Sequence, residues 1–399
     1  MLRAHKDVSK TIKTLNGPLT FLRKTMRPAD EESAKKLYAL EGRRTIAPLD
    51  MALGIENLPF KMTVGLMLEI ARYAVLMDSY DLAEEEFSNN FHFSINNDTI
   101  RLVTNCIGNL VFEEDCRRAD KSKALLDSGK LEFLHDREGN LYLETDGASL
   151  NTWGDSGKGA AWRENKLGMA FTDSDLEEWR DKDGELRRRI LTGHYTNILG
   201  TAEEFKWHFF NLALRKGYGR YKKTILISDG ATWIRNLKEE LFPDAQQILD
   251  LYHLCENAGK FALLLEKDEK KAHECAERWC DMLRQGKWRD LLVEIEPHKN
   301  FKVPEGCVNL YRYVENNRNN IDYPTYREQG LFVGSGAVES ANKRLMQSRM
   351  KLSGMIWKKD SAQSMLSLKA KFHSDLWGDD VRTLAFREMN KVRPPSEDS

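Results

Sequence analysis

Two stretches of this sequence end alike. Thr145-Asp146-Gly147-Ala148 and Ser228-Asp229-Gly230-Ala231 each place an aspartate and a glycine directly after a strand-like run. A carboxylate at the C-terminal end of a strand projects into the crevice beyond the sheet, where open α/β sheets bind their ligands. Two such aspartates on adjacent strands repel one another unless divalent cations hold them. Mg²⁺ suits that position, because it prefers carboxylate oxygens and leaves room for waters and a substrate phosphate. One Asp-Gly alone is more often a turn; the repeated ending on two strands points to metal binding. A third carboxylate follows in Gly334-Ser335-Gly336-Ala337-Val338-Glu339-Ser340-Ala341-Asn342-Lys343. Ser335 reads as an N-cap. Glu339 then falls near the first turn of a helix, able to face the crevice from the side. The competing reading is a carboxylate favoured by the helix N-terminus and paired with Lys343 four residues on.

Two further features lie near these acids. In Asp250-Leu251-Tyr252-His253 the Asp and His can meet across one helical turn; alternatively, Asp250 caps a helix and His253 is a surface residue. Between residues 334 and 373 there are eight basic residues, Lys343, Arg344, Arg349, Lys351, Lys358, Lys359, Lys369 and Lys371, against Glu339 and Asp360. Such a concentration fits a path for a phosphate backbone. Trp357 within it could stack on a base, although a Trp at that spacing is more often core.

The elements that must position these groups are legible in outline. Leu141 to Asp146 alternates as a half-buried strand should, and Trp162–Thr172 and Arg188–Leu199 are two further strand candidates. Thr224 to Ser228 is a short apolar run, typical of a strand covered on both faces. Gln247 to Leu251 is another strand, while Ala202–Arg215 and Ala231–Leu241 read as helices. Upstream, Thr63 and Ser79 can cap two helices, a turn-like break follows at Asn89 to Phe93, and a third helix begins near Asn96 or Asn97. That is a helix-turn-helix candidate, whose last helix would present Asn97, Asp98, Arg101 and Asn105 to DNA; the plain alternative is helices that only pack. The segment Thr11 to Met26 alternates like a strand and suggests no task.

The sequence thus divides into a basic N-terminal region (1–60), a helical region (61–125), an α/β core (138–260 and 331–380) interrupted by helices (261–330), and a tail (394–399) expected to be disordered. With 399 residues and a formal net charge of -1, the chain supports a full core, and any attraction to a polyanion must be local. Residues 1–45 supply some, with eleven basic against five acidic residues. Six scattered cysteines read as reduced thiols. The longest apolar stretch, Val64 to Met77, is broken by Glu69 and Arg72 and is too short to span a bilayer. The Gly-rich loop of phosphate-binding NTPases is missing.

Together these pieces resemble the DDE transposases of bacterial insertion sequences, in the Mutator-like branch of the RNase H-like superfamily, from about Thr11 to Val381. The most specific block is Gly334-Ser335-Gly336-x-x-Glu339 followed by Arg349-x-Lys351-x-Ser353-Gly354-Met355-x-Trp357, and Asp250-x-x-His253 matches a Cys-or-Asp, two residues, then His pattern of that branch. The resemblance implies an RNase H-like mixed-sheet catalytic core with a helical insertion, preceded by a helix-turn-helix-like DNA-binding region. It implies Asp146, Asp229 and Glu339 as catalytic acids and metal ligands, His253 as an auxiliary catalytic residue, and Asp250 beside it. It also implies Mg²⁺, with Mn²⁺ as a substitute, in a two-metal arrangement. Water would cut the element's end, and the freed 3′-OH would attack target DNA. The DNA contacts expected are Asn97, Arg101, Lys343, Arg344, Arg349, Lys351, Trp357 and Lys358. The partner is double-stranded DNA, engaged by a homodimer or larger assembly in the bacterial cytoplasm at the nucleoid. Relatives often have a longer region before the position of Thr11. Two other readings of the same residues are a DNA-binding regulator without catalysis and a nuclease that cuts but never joins.

Overall fold

A computed structural model describes residues 2–42, 44–56, 58–155, 157, 159–180, 182 and 186–389. The tail 394–399 lies outside these. The chain divides into two compact units, Met1–Glu114 with Lys358–Ser399, and Asp115–Trp357. The division at Trp357/Lys358 falls inside the stretch 331–380 that the sequence reading assigns to one core.

The first unit opens with an antiparallel hairpin, β1 (Leu2–Thr14) and β2 (Gly17–Pro28), which accounts for the alternation from Thr11 to Met26. Lys10 on β1 and Arg23 on β2 both pair with the buried Asp50. Two helices follow, α1 (Glu31–Glu41) and α2 (Pro48–Ala52). Then come α3 (Val64–Leu76), α4 (Tyr80–Phe91) and α5 (Asn97–Asp127). Thr63 and Ser79 accept hydrogen bonds from the Leu66 and Leu82 amides, as capping residues should. Tyr73, Phe87, Phe91 and Phe93 cluster edge-to-face and stacked, fixing the turn at His92. In this unit α5 crosses α15 (Lys359–His373) closely: a Cβ at Gly108 would lie 2.6 Å from Ser364.

The second unit is mixed α/β, built on one five-stranded sheet. Its strands are β3 (Arg137–Trp153), β4 (Ala160–Thr172), β7 (His194–Leu199), β8 (Tyr221–Ser228) and β9 (Gln246–Leu249), in the order β7-β4-β3-β8-β9. β3, β8 and β9 run parallel, and β4 runs antiparallel to both β3 and β7. The run Ile225-Leu226-Ile227 on β8 is fully buried, as an apolar central strand requires. The stretch Arg188–Leu199, expected to be one strand, is broken by a turn at Leu191 to Gly193. Its first part is β6 (Leu186–Ile190), which pairs with β5 (Leu176–Arg180) as a separate two-stranded ribbon.

Between β7 and β8 runs α6 (Ala202–Lys216), opened by a reciprocal cap between Thr201 and Glu204; α7 (Thr232–Leu241) follows β8. A helical block then separates the sheet from Glu339: α8 (Leu251–Leu265), α9 (Glu269–Arg284), α10 (Trp288–Ile295), α11 (Leu310–Asn316) and α12 (Tyr323–Glu328). The chain returns as α13 (Gly336–Asn342), passes through a π turn at Lys343–Gln347, and ends the unit with α14 (Ser348–Met350). Helix α16 (Thr383–Met389) belongs to the first unit. Among the described residues, no helix is long and apolar enough to cross a membrane.

Candidate active site

Strand register brings three aspartates to one level. Glu144 pairs with Ile227, and Ile227 with Ile248. Two residues further along each chain segment stand Asp146, Asp229 and Asp250. They lie just where the parallel ladder ends, since β8 closes at Ser228 and β9 at Leu249. Asp146 itself does not end a strand: β3 continues to Trp153, paired with β4 throughout. The crevice at Asp146 arises because β8 stops beside it. Gly147 is therefore a strand residue, against the expected break. Gly230 is a true turn residue, with φ +78° and Leu249 2.7 Å from where a Cβ would stand.

The third element is held over this crevice by two buried acids. Asp250 is fully buried and its carboxylate is fully engaged. One oxygen accepts from the Tyr252 and His253 amides at 2.6 and 3.1 Å, and the other from the Ser335 amide at 2.7 Å and the Ser335 hydroxyl. Ser335 thus does not cap α13 as expected, because its hydroxyl is spent on Asp250. The cap comes from another strand: the Glu144 carboxylate accepts from the Val338 amide at 2.9 Å. Glu144 and Asp146, two apart on β3, share one face. Glu144 was not singled out from sequence, where it read as the polar half of an alternating strand.

Glu339 and Asn342 share a face of α13, three residues apart. The Asn342 amide donates to Asp146 at 2.6 Å, and a Glu339 oxygen lies 3.5 Å from His253 Nε2. Asp146, Asp229, Glu339 and His253, expected to act together, thus lie toward one end of the sheet, His253 beside Glu339 and Asp146 near enough to Asp229 to feel its charge. Asp250, His253 and Glu339 offer ligand atoms within 4.8 Å of one another and could hold a metal ion. The saturated lone pairs of Asp250 make it the weakest donor of that set; its geometry is that of a clamp joining β9, α8 and α13. Among the described residues, Asp229 accepts one side-chain hydrogen bond, from the Ala231 amide at 2.9 Å, through one of its two carboxylate oxygens. The π turn directly after Asn342 is a backbone irregularity often found at functional sites.

The electrostatics are those of crowded carboxyls. Burial raises the Asp146 pKa above the ordinary value, and the Asp229 charge pushes the same way; hydrogen bonds from Gly147 and Asn342 and the nearby His253 oppose this. Burial pushes Glu144 up to about 8, aided by the charges of Asp250 and Glu339. Among the described residues, Glu144 Oε1 and Asn342 Oδ1 are buried without a hydrogen-bond partner.

The expected DNA contacts fare unevenly. Lys343, Arg344, Lys351 and Lys358 are exposed, and Arg344 donates to the Tyr195 hydroxyl at 3.2 Å. Arg349 and Trp357, by contrast, are 1% and 8% exposed, with the guanidinium 5.3 Å from the indole ring, packed within the second unit. Lys369 and Lys371 are also turned inward, toward the Val75 carbonyl and Asp380. In the helical region Asn97 donates to Glu84 and Asp81, Arg101 pairs with Asp98 at 3.1 Å, and Asn105 donates to Ser361. No protein-family model and no curated protein matches the chain.

Proposed function

We propose that this chain is a metal-dependent transposase of the DDE type, with an RNase H-like core that cleaves element ends and joins the freed 3′-OH to target DNA. The observation that carries this reading is the convergence of Asp146, Asp229 and Glu339, from β3, the end of β8 and α13, at one end of a mixed sheet. The helices between the second and third acids match the insertion that the family resemblance implies.

The donor set fits Mg²⁺. Asp146, Asp229 and Glu339 are hard oxygen donors with lone pairs to spare, and two orphaned buried oxygens adjoin them. Mg²⁺ held by these three residues would neutralise charge at the scissile phosphate and lower the pKa of a bound water. The protein's own part is positioning. Asn342 orients the Asp146 carboxylate, and Asp250 and Glu144 fix where α13 begins, hence where Glu339 points. His253, anchored at the first turn of α8, stands beside Glu339, able to contact a phosphate oxygen or move a proton from the attacking group. Lys343, Arg344 and Lys351, beyond Glu339, supply positive charge for the DNA backbone. No protein–DNA covalent bond is required, so no Ser or Tyr nucleophile is invoked.

A strand-transfer assay on DNA bearing the element's ends tests the reading. Wild type releases a 3′-OH and forms joined product with Mg²⁺ or Mn²⁺, and Asp229→Asn does neither while still binding DNA. Cutting without joining makes the protein a nuclease; binding without cutting by both proteins makes it a regulator.

A further inference from the structure

Beside Asp229 and His253 lies a half-open cavity of about 430 Å³, which Asp146 does not line, within the ~300–1,000 Å³ of small-ligand pockets. One wall is cationic. Arg235 of α7 lines it and has no ion pair or side-chain hydrogen bond among the described residues. The same helix begins there without a side-chain cap and without an acid in its first turn; the Asp229 carboxylate takes the Ala231 amide just before it, and the amides of Thr232 and Trp233 remain for a phosphate beside Arg235. The opposite wall is amide-rich: Asn257 of α8, Asn316 at the end of α11, and Asn317. Asn317 donates to the Tyr313 carbonyl at 2.9 Å, and its Oδ1 faces Gly230. The Tyr313 hydroxyl donates to the Asp229 backbone carbonyl, tying this wall to the candidate catalytic aspartate. Carboxamides offer a donor and an acceptor side by side, the pattern that reads base edges.

We propose that this cavity is a one-nucleotide subsite, taking a phosphate at Arg235 and the α7 N-terminus and an unstacked base among the three asparagines. It rests on the transposase reading only in that the nucleotide belongs to the strand being cut, next to the phosphate at Asp229. A base held there is out of the duplex, so the cost of unstacking falls on the substrate and favours ends that open easily.

Titration of the full chain with dAMP, dGMP, dCMP and TMP, read by saturation-transfer NMR with and without Mg²⁺, tests this without requiring activity. The parallel probes are the four nucleosides and inorganic phosphate. Monophosphates are expected to bind at least about tenfold more tightly than either fragment, Arg235→Ala to lose about tenfold, and Asn316→Ala to change the ranking of the bases. Absence of monophosphate binding overturns the subsite. So does binding that both variants leave unchanged, or phosphate binding as tightly as the nucleotides, which reduces the site to an anion hole. Monophosphate binding through Arg235 in a protein that never cuts DNA keeps the subsite and removes the transposase reading. Cutting by wild type with both variants unaffected in binding does the reverse.

Discussion

The sheet end of the second unit and the helical region of the first treat polar groups in opposite ways. In the helical region the polar side chains neutralise each other locally: Asn97 is held by Asp81 and Glu84, and Arg101 by Asp98. At the sheet end, carboxylates from distant parts of the chain crowd together, and burial pushes Asp146 and Glu144 upward; partnerless buried oxygens occur in both places among the described residues, on Glu144 and Asn342 here and on Asn105 in the helical region. Folding alone does not favour the second arrangement, since gathering and burying like charges costs free energy. The contrast is between polar groups paired within one stretch of chain and like-charged carboxyls gathered from several.

The largest effects are expected where that contrast is sharpest. Asp146→Asn, Asp229→Asn and Glu339→Gln should each lower metal-dependent cleavage by at least about 10²-fold, measured on element-end DNA, with unfolding free energy maintained or raised. Asp250 is the exception that tests the division between clamp and ligand. Asp250→Ala strands the amides of Tyr252, His253 and Ser335, and should cost about 3 kcal/mol in urea denaturation. A stable Asp250→Ala variant would contradict the clamp.

A third effect is on pH dependence. Glu144 binds its proton more tightly folded, with a pKa of about 8 against 4.5 for the ordinary group. Its contribution to stability is fully present below about pH 4.5 and is lost as pH rises through about 8. In EDTA, wild-type unfolding free energy should therefore fall between about pH 5 and 8, and Glu144→Gln should flatten that fall. An unchanged slope would show that Glu144 is already ionised in the fold. The smallest effects belong to the surface. Lys343→Ala or Lys351→Ala should each reduce the salt slope of DNA binding by about 1. Arg101→Ala should leave that slope unchanged and alter stability by no more than about 0.5 kcal/mol. A lower slope in Arg101→Ala would assign DNA contact to the helical region.

Much of this comparison was legible in the residues. The Asp229-Gly230-Ala231 ending, the buried run at Ile225 to Ile227 and the caps at Thr63 and Ser79 depend on local pattern, and local pattern decided them. What escaped depends on register between distant segments. Gly147 suggested a break, yet β4 pairs past it to Trp153. Ser335 suggested a cap, but Asp250, far upstream, took its hydroxyl. Glu144 read as a solvent-facing polar position, though its place two residues before Asp146 puts both on one face; that spacing was the available signal. Trp357 and Arg349 carried the right chemistry for DNA, and only packing showed that they spend it on each other.

The central claim is that Asp146, Asp229 and Glu339 form one metal site, with Asp250 as scaffold. Mn²⁺ titration followed by electron paramagnetic resonance tests it on wild type, Asp146→Asn, Asp229→Asn and Asp250→Asn, each checked for folding by circular dichroism. The account predicts that wild type binds Mn²⁺, that Asp146→Asn and Asp229→Asn lose most of that affinity while folded, and that Asp250→Asn loses fold before it loses metal. Full Mn²⁺ binding in Asp146→Asn and Asp229→Asn, with its loss from a folded Asp250→Asn protein, would instead make Asp250, His253 and Glu339 the metal site and contradict the account.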